Sequence, residues 1–142
     1  MEQHIVIGQI NILAGWMMMV TGGISGSILG LWAFGGPFPT PPKHTNYTDL
    51  SRRLVRLAHI AMFALPMISI LYGHHIDTIP FDDSIKTFGS WCMIVCMVGV
   101  PLFLVLASFY LPFKYAEVVP VTAGTIALGI MSYGHFLLLR AQ

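Results

Sequence analysis

Charge is what this sequence has least of. Only 9% of its 142 residues are Asp, Glu, Lys or Arg, whereas a soluble domain carries about 25%, so water is excluded as its main solvent. No two carboxylates share an apolar run, which removes the paired acids of acid–base hydrolysis. A nucleophile elbow, a phosphate-binding Walker loop, a Gly-rich dinucleotide turn and an HExxH zinc helix are all missing as well. Cysteine is limited to Cys92 and Cys96, one helical turn apart, where a disulfide is geometrically poor; a disulfide framework is excluded. The few basic groups lie beside apolar runs and do not make a nucleic-acid surface.

What remains is apolar. Hydrophobic residues make up 56% of the chain and its mean hydropathy is +0.75. Crossing about 30 Å of hydrocarbon takes about 20 apolar residues in a helix, and four runs qualify, at about 5–34, 54–73, 88–111 and 116–139. The expected fold is all-α: one membrane domain, 1–142, built as a bundle of four transmembrane helices. The opening "MEQHIVIG" has no basic segment and the first run far exceeds the apolar core of a secretory signal, so it is read as a mature helix. Basic residues gather on one side of the spans, at Lys43, Arg52, Arg53, Arg56 and Lys114, while Glu2, Asp77, Asp82 and Asp83 outnumber Lys86 and Arg140 on the other. Positive loops stay in the cytoplasm. The proline-rich linker 35–51 is therefore expected to face the cytoplasm of a bacterial inner membrane, with both termini periplasmic.

Glycines punctuate the first run. Gly8, Gly15 and Gly22 are seven apart and Gly22, Gly26 and Gly30 four apart, a strip on which another helix sits closely. Gly22, Gly26 and Gly30 are expected to be the packing zipper, within the bundle or against a neighbouring subunit, in preference to a platform for a flat cofactor. The linker "GGPFPTPPKHTNYTDLS" cannot form regular helix and is expected to lie over the rim as a strap, with Asp49 or Ser51 capping the second helix. Pro66 and Pro101 stand inside spans, where neighbouring helices can satisfy the carbonyls they free.

An ionisable group inside a membrane is costly and marks a candidate site. His59 lies within the second span, on one stripe with Arg52, Arg56 and Phe63. Either the arginines reach to lipid headgroups while His59 bonds a neighbouring helix, or His59 and Arg56 receive a quinone headgroup, a haem or its propionates. At the opposite rim His74 and His75 end the second span, and the fourth run brings His135 to the same level, with His4 at the start of the first. Paired imidazoles from facing helices are the usual axial ligands of a b-type haem, so His135 with His74 or His75 is the best haem pair. At the level of His59 only His44 of the linker offers a second imidazole. Cys92, Met93, Cys96 and Met97 present soft ligands suited to Cu(I), and with His4 they are the metal candidates; packing is the plainer reading of these sulfurs.

Through "RLVRLAHIAMFALPMISILYG" and "PLFLVLASFYLPFKYAEVVPV" the chain resembles small four-helix bacterial membrane proteins found in respiratory and other electron-transfer gene neighbourhoods. That resemblance implies an accessory subunit of an energy-transducing complex rather than a stand-alone catalyst, with other membrane subunits, lipids, quinone or pigment as its partners. The chain departs from the succinate dehydrogenase membrane anchors in the histidine and arginine pattern around their haem, and no haem position carries over. The competing expectation is a copper-handling or small-solute membrane protein. The scarcity of polar residues at the midplane speaks against a carrier.

Overall fold

Glycine spacing, rather than an amphipathic pattern, places the first two helices. In a computed structural model describing residues 6–33 and 36–141, four long helices follow one another: α1 (Gln9–Ala33), α2 (Leu50–His75), α3 (Asp83–Phe109) and α4 (Val118–Arg140). All four are long and apolar enough to cross a membrane. Short 3₁₀ turns at Pro42–His44, Ile76–Thr78 and Leu111–Tyr115 join them. α2 starts four residues before the apolar run does and α3 five before, because each run begins only after a polar first turn that is nevertheless helical.

α1 and α2 run antiparallel with their backbones nearly touching. A Cβ on Gly8 would collide with the carbonyl of Gly73; one on Gly15 would lie 3.1 Å from the Pro66 carbonyl oxygen, and one on Gly22 3.0 Å from that of Met62. Gly26 faces His59, whose Cε1 would lie 2.7 Å from an added Cβ. Among the described residues Gly30 meets nothing within 4 Å, so within the chain the zipper runs through positions 8, 15, 22 and 26. Seven residues are close to two helical turns, which keeps all these glycines on the face turned to α2.

Each helix packs chiefly on its successor, α1 on α2, α2 on α3 and α3 on α4, with a lesser contact between α1 and α3. Small residues again set the α3–α4 approach: Gly124 lies against the Cys96 thiol and Gly99 against the Pro120 ring. The apolar core, Tyr72, Ile76, Ile79, Met93 and Ala127, lies where α2 turns towards α3, with Ile79 seated on Gly134 of α4. The beginning of α1, the end of α2 and the last turns of α4 thus share one end of the molecule, the terminal end; the 36–49 segment lies at the other, the linker end. Of the most apolar stretch of α1 only 11% is buried within the chain, against 39% for α3. The serial order leaves large apolar faces of α1 and α4 open.

Polar groups tie the terminal end together. Asn11, fully buried, donates through Nδ2 to Ser69 Oγ at 3.4 Å and to the Ser90 carbonyl at 3.2 Å, and its Oδ1 accepts from the Ser90 hydroxyl. Ser69 donates back to the Asn11 carbonyl at 3.3 Å. Three helices are knotted by one amide, which is what a buried amide in hydrocarbon must find. The carboxylate of Asp77 accepts from the Ile7 and Gly8 amides, at 3.3 and 3.1 Å, and so serves the amides that α1 leaves free at its start.

Candidate functional site

His59 comes closest to a site. Gly26 removes the side chain that would fill the space beside its ring, and the neighbouring Ser25 bonds His59 Nδ1 at 3.0 Å. The single proton of Ser25 Oγ is directed to the Gly22 carbonyl, 2.8 Å away. In the tautomer with its proton on Nδ1, His59 donates to Ser25 and Nε2 is a lone-pair acceptor; in the other, Nε2 carries the proton and donates. Phe63, one turn further along α2, meets the His59 ring edge to face at 5.3 Å.

Two clefts share His59 and Leu29 as walls. One, of about 170 Å³, is almost wholly apolar and is bounded by Trp32, Met62, Val105 and Phe109. The other is bounded by Gly30, Tyr47, Arg52 and Arg56 and is cationic. The Arg56 guanidinium lies 4.1 Å from the centre of the Tyr47 ring, within cation–π range. One histidine thus borders both a greasy slot and a positively charged one, at the rim where an amphiphile would place its head.

The proline-rich linker does lie over this rim, and His44 latches it. His44 is fully buried, bonded through Nε2 to Ser108 of α3 at 3.3 Å and wedged between Trp32 and Phe109, with ring centres 5.9 and 5.0 Å away. Among the described residues its Nδ1 is buried without a partner. Burial, then the positive charges of Arg52 and Lys43, push its pKa below the usual 6.5. Arg52 donates to the His44 and Thr45 carbonyls at 3.1 and 3.2 Å, Lys43 to the Phe109 carbonyl at 3.1 Å, and Ser51 to the Lys43 carbonyl. The caps differ from expectation. Asp49 does precede α2, but its carboxylate turns back to the Asn46 amide at 3.3 Å, and neither it nor Ser51 caps the helix.

At the terminal end His75 and His135 meet, ring centres 5.6 Å apart. His75 is exposed and His135 half-buried; His74 is exposed one position before. His4 lies outside the described residues. Cys96 is packed into α4 and Cys92 is half-buried, and among the described residues no three His, Cys, Asp or Glu side chains come together to hold a metal ion.

Of the residues singled out in the sequence, His59 and Arg56 share the cationic cleft, and His75 and His135 a ring contact. Ser25, the Asn11–Ser69–Ser90 knot and the Asp77 contact with the start of α1 were not anticipated. A polar residue inside an apolar run was the available signal for Asn11, Ser69 and Ser90; which of them meet depends on helix rotation. No protein-family model matches the chain, and neither curated proteins nor solved structures yield a relative.

Proposed function

We propose that this chain is a membrane subunit of a larger respiratory or photosynthetic electron-transfer complex, lodged in a bacterial inner membrane with its linker end in the cytoplasm, and that its His59 cleft receives a quinone headgroup. The observation that carries this reading is His59 itself: a half-buried imidazole at the border of an apolar and a cationic cleft, bonded to Ser25 through Nδ1, with Nε2 as the nitrogen that can meet a ligand. A quinol hydroxyl donates to that nitrogen; a protonated His59 donates to a quinone carbonyl instead. The apolar slot takes the ring and the first part of the tail, and Arg56 lends positive charge to the reduced, anionic forms. Electrons travel to or from a redox centre of the partner subunits. The open apolar faces of α1 and α4 suit contact with those subunits and with lipid.

A photoreactive quinone analogue tests the reading on the membrane-embedded chain. Labelling is expected within α1 and α2 near Ser25 and Phe63, falling about fivefold in His59→Leu, the loss of one hydrogen bond of about 1 kcal/mol. Labelling that His59→Leu leaves unchanged would refute it.

The meeting of His75 and His135 favours a second reading, a b-type haem held at an interface. Both rings lie near the surface, so a haem there takes its remaining walls from a partner subunit. A reduced-minus-oxidised spectrum of the gently extracted complex is expected to show a b-type band that His135→Ala removes; a band that survives this change belongs to another chain.

A further inference from the structure

We propose that the outer face of α2 at the linker end is a docking site for one anionic phospholipid. It does not rest on the quinone reading, because Arg53 and Leu57 belong to this face and not to the His59 cleft. A groove runs along α2 between Leu50, Arg53, Leu54, Arg56, Leu57 and Ile60. Its rim end carries two exposed guanidinium groups, Arg53 and Arg56, and its inner end Leu57 and Ile60, 50% and 60% exposed. Positions 53, 57 and 60 follow one another at helical spacing, so the groove runs along the helix axis for about 10 Å from Arg53 to Ile60.

Charge complementarity identifies the occupant. Among the described residues the one carboxylate–cation pair within 4.0 Å joins Lys86 and Asp83 at the other end of the molecule. Arg53 and Arg56 therefore lack a carboxylate there, while Arg52, beside them in sequence, is turned inward to the linker carbonyls. Arg56 is also held by its stack on Tyr47, which lessens the rotamer entropy lost on binding. Planar guanidinium groups match phosphate oxygens, and the leucine and isoleucine beneath them supply a surface for an acyl chain. A free phosphate would use only the upper half of the groove; a zwitterionic lipid brings a choline cation with its phosphate and leaves the net positive charge of the two guanidinium groups uncompensated.

The test is native mass spectrometry of the full chain from mixed micelles containing phosphatidylglycerol and phosphatidylcholine in equal amounts. Retention of one phosphatidylglycerol in preference to phosphatidylcholine is expected, the preference dropping about fivefold in Arg53→Gln and further in the Arg53→Gln, Arg56→Gln double variant. Arg53→Lys, which keeps the charge, retains most of it and separates charge from misfolding. No preference in the unaltered chain, or an undiminished one in the double variant, overturns the proposal. So does displacement of the lipid by inorganic phosphate at matched concentration, and so does a photoreactive residue at position 57 that crosslinks in membranes to protein rather than to lipid.

Discussion

His44 shows how one residue's surroundings become a pH dependence. Its ring is buried against Ser108, Trp32 and Phe109, and the charged groups beside it, Arg52 and Lys43, are both positive. The folded pKa is depressed, so between it and the ordinary 6.5 the undocked linker binds more protons than the docked one. Stability of the latch is then fully present above 6.5 and falls as the pH drops through that value towards the lowered one. Proteolysis within 36–49 is expected to accelerate on acidification below pH 6.5, and His44→Gln, which cannot titrate, to flatten that response. Equal cleavage rates at neutral and mildly acidic pH would remove His44 as the latch. In the sequence His44 was one histidine in a linker; its burial became visible only once α3 and the end of α1 were placed around it.

Between elements, the glycine register of α1 carries the prediction. An alanine at Gly8 would place its methyl on the Gly73 carbonyl, forcing α1 from α2 just where Asn11 and Asp77 hold them. Gly8→Ala is expected to cost about 1–3 kcal/mol, as overpacking does. Gly30→Ala meets open space and is expected to be neutral or to stabilise by up to about 1 kcal/mol through helix propensity. Unfolding in mixed micelles measures both, and equal effects would mean that the near contact of the two backbones does not govern packing. The seven-residue spacing was legible in the sequence and predicts one shared face. The four-residue series was equally legible; among the described residues its last member, Gly30, has no neighbour within 4 Å and borders the cationic cleft.

The whole molecule is an antiparallel series of four apolar helices whose two ends differ in chemistry. Lys43, Arg52, Arg53, Arg56 and Lys114 mark the linker end, and Asp77, Asp82 and Asp83 the terminal one. On the proposed orientation, a cysteine placed at Thr40 in intact cells resists a membrane-impermeant thiol reagent, while one at Thr78 reacts. The reverse result would turn the molecule over and put the His59 cleft on the outer side.

Hydropathy and chain length determined the four spans, their order and the end on which each rim residue falls, because the cost of burying backbone in hydrocarbon leaves helices as the economical solution for such runs. Rim chemistry was equally legible: His59 with Arg56 at one end, His135 with His74 or His75 at the other. Partner choice was not. α1 and α4 show little apolar asymmetry, so hydropathy does not specify which face turns inward, and only the glycine spacing of α1 hints at one. Only close packing, through Gly8 on Gly73, Gly26 on His59 and Gly124 on Cys96, set the rotations that brought Asn11 to Ser90, 79 residues away, and Ser25 to His59. Tertiary structure decided these pairings because small residues let backbones approach in particular registers, and a buried polar group that has lost water must take the partner that the register supplies.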